Sequence, residues 1–110
     1  MEEWKRYIEV LRAIKNYLEE YGVPYWPETI GKWLEELPLP NDKLMHVHAA
    51  RTHKMIGGMG SLGDIYISRN AGHRIVGDKA EVLKVNKQLE AMIHELYVVT
   101  GALQGNLQGT

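Results

Sequence analysis

The chain has 110 residues, of which 45% are hydrophobic and 25% are charged, and its formal net charge is −1. This length fits one domain, and the balance of apolar and charged residues is that of a folded protein rather than a disordered one. The absence of cysteine excludes disulfides and thiolate metal ligands. The near-neutral charge argues against a generally basic nucleic-acid binder.

The sequence also argues against a membrane partner. No apolar run is long enough to span a bilayer, and the first residues are charged where a signal peptide would be apolar. We therefore expect a cytoplasmic domain.

The first helix is predicted over residues 2–21, a segment that contains neither glycine nor proline. Gly22 then offers the left-handed conformation that commonly follows a helix, and Pro24 prevents the helix from continuing. The apolar side chains of the segment recur at steps of three and four residues and form one stripe, made of Trp4, Tyr7, Ile8, Leu11, Ile14, Leu18 and Tyr21.

Two shorter helices are predicted next, one that starts at Pro27 and one that runs to about Ile56. Beyond them the chain is rich in glycine, since six of its eleven glycines lie between residues 57 and 77. Within this connection Ile65–Ile67 and Arg74–Val76 could be short extended pieces. A short β-hairpin is therefore left open.

A fourth helix is predicted over residues 78–100. It opens with Asp78 and carries Glu81 three residues later, a spacing typical of a helix N-terminus. Gly101 is expected to end this helix.

Together these elements predict an all-α or nearly all-α fold, a four-helix bundle-like single domain with one Gly-rich connection. The domain covers residues 1–101, and 102–110, rich in Gly, Gln and Asn, are expected to be a flexible C-terminal tail. The apolar face of the last helix is broad enough to leave a homodimer open.

Two polar residues are expected in structural roles inside the core. His48 lies within the apolar arc of the third helix, and Asn86 projects into the apolar face of the fourth. A buried amide needs hydrogen-bond partners. We expect Asn86 to find them in the backbone of the glycine-rich loop over residues 57–64.

The histidines do not predict a metal site, and no cofactor is expected. Residues two apart on a helix, such as His46 and His48, point in nearly opposite directions. His46 and His53 share a face but lie roughly 10 Å apart along the helix axis. That separation is too large for two bonds of about 2.0–2.1 Å to one zinc ion.

The glycine-rich loop is the most specific local pattern. Dense glycine permits close backbone approach, and successive amides can bind an anion, although the ending of a Walker A loop is missing. A structural connection is the favoured interpretation. The candidate loop and ligand residues are Gly57, Gly58, Gly60, Ser61, Asp64 and His73.

The motifs between residues 10 and 100 follow one another in a distinctive order: Leu18 to Gly22, Trp26, Trp33-Leu34-Glu35, Gly57 to Asp64, Gly72-His73 and Val85-Asn86. This order resembles a family of small bacterial proteins of uncharacterised activity, whose hallmark is a Gly-Gly-Met-Gly-Ser loop followed by an Asn-Gly-His turn. The chain departs from that pattern at Gly63, where the family usually has Asn, and by one extra residue in the turn. Some members look like immunity proteins encoded beside secreted toxins.

No catalytic set is defensible from the sequence, and the charge is segregated. Residues 43–74 carry five basic side chains and one acidic side chain. We predict a non-enzymatic protein-binding domain, which the resemblance makes an immunity protein that masks the active site of a toxin. Electrostatic complementarity and a few anchors would drive binding, and the candidate anchors are Trp26, Arg51, Arg69 and Arg74.

An enzyme is the alternative. It would be a small enzyme or an anion-binding domain in which Asp64 and His73 titrate and Arg74 holds an anion. This alternative requires the three side chains to meet in one concavity.

Overall fold

The structure, a computed structural model, describes residues 2–37, 42–57 and 61–108. Within these residues the helices, in chain order, are α1 (Glu2–Glu20), α2 (Trp26–Glu35), α3 (Asp42–Ile56) and α4 (Lys79–Gln108). The connection from α3 to α4 contains two single turns of 3-10 helix, Leu62–Asp64 and Arg69–Ala71. The predicted all-α, four-helix fold is confirmed.

α1 and α4 are the two inner helices, because α1 packs against α2 and α4, whereas α4 packs against α1 and α3. Full burial of one large aliphatic side chain contributes roughly 1.5–3 kcal/mol, so the apolar stripe of α1 is a major part of the core. The buried residues of α1 are Trp4, Tyr7, Val10, Leu11, Ile14 and Leu18.

In the part of the chain that the structure describes, no helix has the length and apolar character needed to cross a membrane.

α1 ends at the predicted glycine. Gly22 adopts a left-handed conformation with φ 66°. Its N–H donates to the Glu19 carbonyl and the Val23 N–H donates to the Leu18 carbonyl, each at 3.0 Å. This pair of hydrogen bonds is a Schellman cap, and Leu18 and Val23, the two positions whose apolar side chains usually accompany such a cap, are both buried. The chain therefore reverses, and α2 packs back onto α1.

The predicted helix starts are also confirmed. Pro27 lies in the first turn of α2, where its missing N–H costs no hydrogen bond. At α4, the Glu81 N–H donates to Asp78 Oδ1 at 3.0 Å, which is a side-chain N-cap.

The predicted end of the last helix at Gly101 is wrong, since α4 continues to Gln108. Thr100 and Leu103, on either side of this glycine, are fully buried, and a Cβ at Gly101 would lie 3.5 Å from the His53 ring. Packing against α3 therefore outweighs the cost of about 1 kcal/mol that glycine carries inside a helix. Residues 102–108, expected to be a flexible tail, are helical.

The β-hairpin left open by the sequence is absent from the described residues. Asn86 of α4 takes the place of a strand partner, because its Oδ1 accepts from the Ile67 N–H (2.7 Å) and its Nδ2 donates to the Ile67 carbonyl (2.9 Å). Nδ2 also donates to the Val82 carbonyl at 2.9 Å. The observed bonds thus reach Ile67, not the loop over 57–64 as expected.

We predict that Asn86→Ala lowers the free energy of unfolding by about 1–3 kcal/mol, because it leaves both backbone groups of Ile67 buried and unpaired. Asn86→Leu should not restore stability, since a leucine offers no hydrogen bond. Urea denaturation measures both variants, with Asn16→Ala on the exposed face of α1 as the control. Wild-type stability of Asn86→Ala would contradict the assignment.

Candidate binding groove

The four predicted partner-binding residues have different surroundings in the structure. The Arg51 guanidinium lies 4.5 Å from the centre of the Trp33 ring, and Arg69 donates a hydrogen bond to the Gly77 carbonyl. Trp26 is half-buried, whereas Arg74 lines a groove between α1 and α2. Of the four, only Arg74 lines that groove.

The candidate ligand residues of the glycine-rich loop are engaged in the fold. Ser61 Oγ donates to the Ile56 carbonyl at 3.0 Å. His73 Nδ1 accepts from the Ser68 N–H at 3.0 Å, and the His73 N–H donates to the Ser68 carbonyl at 3.2 Å. Gly57 is exposed, and the predictions for Gly58 and Gly60 lie outside the described residues.

The three side chains of the enzyme alternative are not brought together in either principal cavity. Arg74 lines the groove between α1 and α2, whereas Asp64 lines a separate cavity of about 330 Å³ against α4. His73 lines neither of them. Arg74 and Asp64 therefore line different cavities, and these two cavities do not show the convergence that the alternative requires.

An open cleft of about 580 Å³ lies between α1 and α2, and we call it the α1–α2 groove. A second cleft of about 340 Å³ continues it toward Arg12 and shares Lys15, Gly31 and Glu35 with it. The groove is lined by Lys15, Glu19, Gly22, Val23, Tyr25, Pro27, Glu28, Gly31, Lys32, Glu35 and Arg74.

Tyr25 is the most unusual residue of the groove. Its backbone has φ 73° and ψ −59°, and the Trp26 N–H donates across it to the Pro24 carbonyl at 2.8 Å. This is a γ-turn of the rare positive-φ form, which is strained. Tyr25 is the one residue other than glycine with positive φ in the described ranges, and its side chain is 69% exposed.

Such strain is retained where the surrounding structure enforces it, and it is concentrated at functional sites. The turn lies between the cap of α1 and the buried Pro27 at the start of α2. Both neighbours fix the path of the chain, so the aromatic ring is presented to solvent instead of packing into the core. Sequence reasoning missed Tyr25, although its position between Pro24 and Pro27 was an available signal.

The acidic residues at the Tyr25 end of the groove are neutralised within the protein. Lys15 Nζ lies 2.9 Å from Glu19 Oε1, and Lys32 Nζ lies 3.5 Å from Glu28 Oε1. The Arg74 guanidinium has no hydrogen bond or ion pair among the described residues. This end of the groove therefore carries one uncompensated positive charge.

The backbone of α1 holds Arg74 in place. The Arg74 N–H donates to the Tyr21 carbonyl at 2.6 Å, and the side chain lies across Gly22. A Cβ at Gly22 would come within 2.7 Å of Arg74 Nε. The glycine that ends α1 thus also makes room for the arginine.

His48 of α3 is buried and hydrogen-bonds to the backbone of α2. Its Nε2 donates to the Trp33 carbonyl (3.1 Å), which can only accept, so in the neutral ring Nδ1 accepts from the Tyr7 hydroxyl (2.6 Å). Thr52 Oγ1 lies 2.5 Å from the Tyr7 hydroxyl and accepts from Trp33 Nε1 at 2.5 Å. Burial raises the pKa of Tyr7 to about 12 and lowers the pKa of His48 below its ordinary value.

The other two histidines of α3 form hydrogen bonds to α4. His46 Nδ1 donates to the Leu103 carbonyl, and His53 Nδ1 bonds the Thr100 hydroxyl, each at 2.8 Å. No cluster of three or more metal-ligating side chains occurs in residues 2–37, 42–57 and 61–108. The expectation that the chain binds no metal stays a prediction.

No family model, curated protein or solved structure matches the chain. The resemblance to small bacterial proteins accordingly stays a prediction. A function has to be argued from the groove itself.

We predict that the free energy of unfolding falls as the pH decreases below about 6.5, the value for an unperturbed histidine. In that range the unfolded chain protonates His48 while the folded chain resists protonation; above it both forms are neutral and the contribution vanishes. Urea denaturation from pH 7.5 to 5.5 measures the fall. The fall in the free energy of unfolding should be smaller in His48→Gln than in the wild type. The control variant His94→Gln, at an exposed histidine, should show the same fall as the wild type. Equal pH dependence in all three proteins would contradict the assignment.

Proposed function

We propose that this chain is a non-enzymatic protein-binding domain that holds a segment of its partner in the α1–α2 groove. The observation that carries the proposal is Tyr25, an exposed aromatic side chain on a strained turn at the groove. Exposed aromatic residues with few rotatable bonds are typical anchors of protein interfaces. A turn that keeps the ring out of the core before binding reduces the ordering cost of association.

The dimensions of the groove suit a peptide segment. α2 has ten residues and is therefore about 15 Å long, which matches four or five residues of extended chain at about 3.3 Å each. The adjoining cleft toward Arg12 extends the same surface. The groove is an open cleft, whereas small-molecule sites enclose most of the surface of their ligand.

The charges of the groove favour a protein over a nucleic acid. Glu19, Glu28 and Glu35 line it together with its basic residues. A phosphate backbone would be repelled by these carboxylates, because nucleic-acid affinity depends on many uncompensated positive charges. Mixed charges of both signs suit a protein surface, where complementary pairs select the partner.

An immunity protein is a narrower form of this proposal. A bacterial toxin that inserts a loop near its active site into the groove would be inhibited by masking, in the cytoplasm of the producing cell. The support for this form is the family resemblance, and the support for the groove is Tyr25. A purified toxin is therefore the first partner class to test.

Photocrosslinking tests the proposal directly. p-Benzoylphenylalanine replaces Tyr25 in one variant and Tyr66, which is 53% exposed and lines the separate cavity against α4, in a matched control. Both variants are illuminated in cells that naturally express the protein, and the adducts are identified by mass spectrometry. We expect a distinct protein adduct from position 25 and none from position 66.

The identified partner is then purified and its Kd measured by calorimetry. Tyr25→Ala should weaken binding by about tenfold or more, the usual effect of removing an aromatic anchor, while Tyr66→Ala should change it less than about twofold. The absence of a site-specific adduct, or wild-type affinity of Tyr25→Ala, would refute the groove as the binding site. An adduct with a second copy of the chain would identify a homodimer instead.

A further inference from the structure

Arg74 is an unused group within the α1–α2 groove. Its backbone is fixed to the end of α1 by the bond from its N–H to the Tyr21 carbonyl. Its side chain is exposed, and no acceptor among the described residues bonds its guanidinium. A guanidinium offers five N–H donors in a planar fork that matches the two oxygens of a carboxylate. The groove therefore presents a bidentate donor with no internal partner.

The surrounding charges determine how much negative charge the groove can accept from a bound anion. Lys15 and Lys32 are already paired with Glu19 and Glu28, so Arg74 contributes the uncompensated charge at this end. One carboxylate balances one guanidinium. A phosphate monoester carries a charge of about −1.5 to −2 at neutral pH and would add excess negative charge beside these glutamates.

Glu35 does not neutralise Arg74, because it lies at the other end of α2. Seven residues separate it from Glu28, which corresponds to about 10 Å along the helix, and Arg74 lies across Gly22, next to the start of α2. The groove is thus polarised, with a positive charge beside Tyr25 and a negative charge toward the other end.

We infer that the partner segment carries a single carboxylate that Arg74 binds, next to an apolar or aromatic side chain that packs against Tyr25. This inference rests on the proposed function and defines the partner's chemistry: an acidic residue one or two positions from a large apolar residue. Tyr25 supplies contact area, and Arg74 fixes the direction and register of the segment in the groove.

Peptide selection tests the inference before any natural partner has been identified. A phage library of random nonapeptides is selected on the purified wild-type protein, and the enriched peptides are synthesised with amidated C-termini so that only side-chain carboxylates remain. We expect enrichment of Asp or Glu one or two positions from Tyr, Trp, Phe or Leu. If a peptide binds only with a free C-terminal carboxylate and not in the amidated form, Arg74 binds the end of a chain, and the assignment of a side-chain carboxylate is overturned.

Binding of the enriched peptides is then measured against variants of the groove. Arg74→Gln should weaken binding about tenfold, the loss expected for a charge-assisted bidentate contact, and Arg74→Lys should be intermediate because it keeps the charge without the fork. Arg6→Gln, at an exposed position of α1 that lines neither the groove nor the adjoining cleft, is the matched control and should bind as the wild type does. Melting temperatures of all variants establish that the fold is retained.

The outcomes separate this inference from the proposed function. Peptides that lose affinity in Tyr25→Ala but not in Arg74→Gln would overturn the carboxylate inference and leave the groove as a protein-binding site. Peptides insensitive to both variants would refute both statements. Stronger binding after the acidic residue is replaced by phosphoserine would overturn the single-carboxylate assignment in favour of a phosphate site.

Discussion

The strained turn at Tyr25 is the constraint on which the rest of the proposed site depends. It joins the Schellman cap of α1 to the first turn of α2 and so folds α2 back along α1. A positive φ at a residue other than glycine costs about 1–3 kcal/mol, and burial of Leu18, Val23 and Pro27 on both sides offsets that cost. The same geometry opens the groove and exposes the tyrosine ring.

The second element of the site, Arg74, comes from a segment without regular secondary structure. That segment is nevertheless fixed, because Asn86 bonds both backbone groups of Ile67, Ser68 and His73 bond each other, and Arg74 bonds the Tyr21 carbonyl. Side chains and a helix end thus satisfy the backbone where a β-hairpin would have used a second strand. The position of the guanidinium therefore depends on the core around α4.

Local signals in the sequence were sufficient for the helices and for most of their ends. The stripe of α1, Gly22 after it and Asp78 before α4 act through neighbouring residues, so they can be recognised without tertiary contacts. Gly101 misled because burial of Leu103 against α3 overrides the local preference, and the partner of Asn86 could not be deduced because it lies nineteen residues away. The candidate site was only partly foreseen. Arg74 was named, whereas Pro24 and Pro27 mark a turn around Tyr25 but do not specify its positive φ.

The most direct test of the account compares the unfolding free energies of Tyr25→Gly and Tyr25→Ala. Glycine adopts a positive φ without strain, whereas alanine at the same φ is strained. The glycine variant should therefore be more stable by about 1 kcal/mol or more. The same pair at Tyr66, whose φ is not positive, should show the opposite order, because glycine loses more conformational freedom on folding. An alanine variant at position 25 as stable as the glycine variant, or more stable, would contradict the strained turn and the groove built on it.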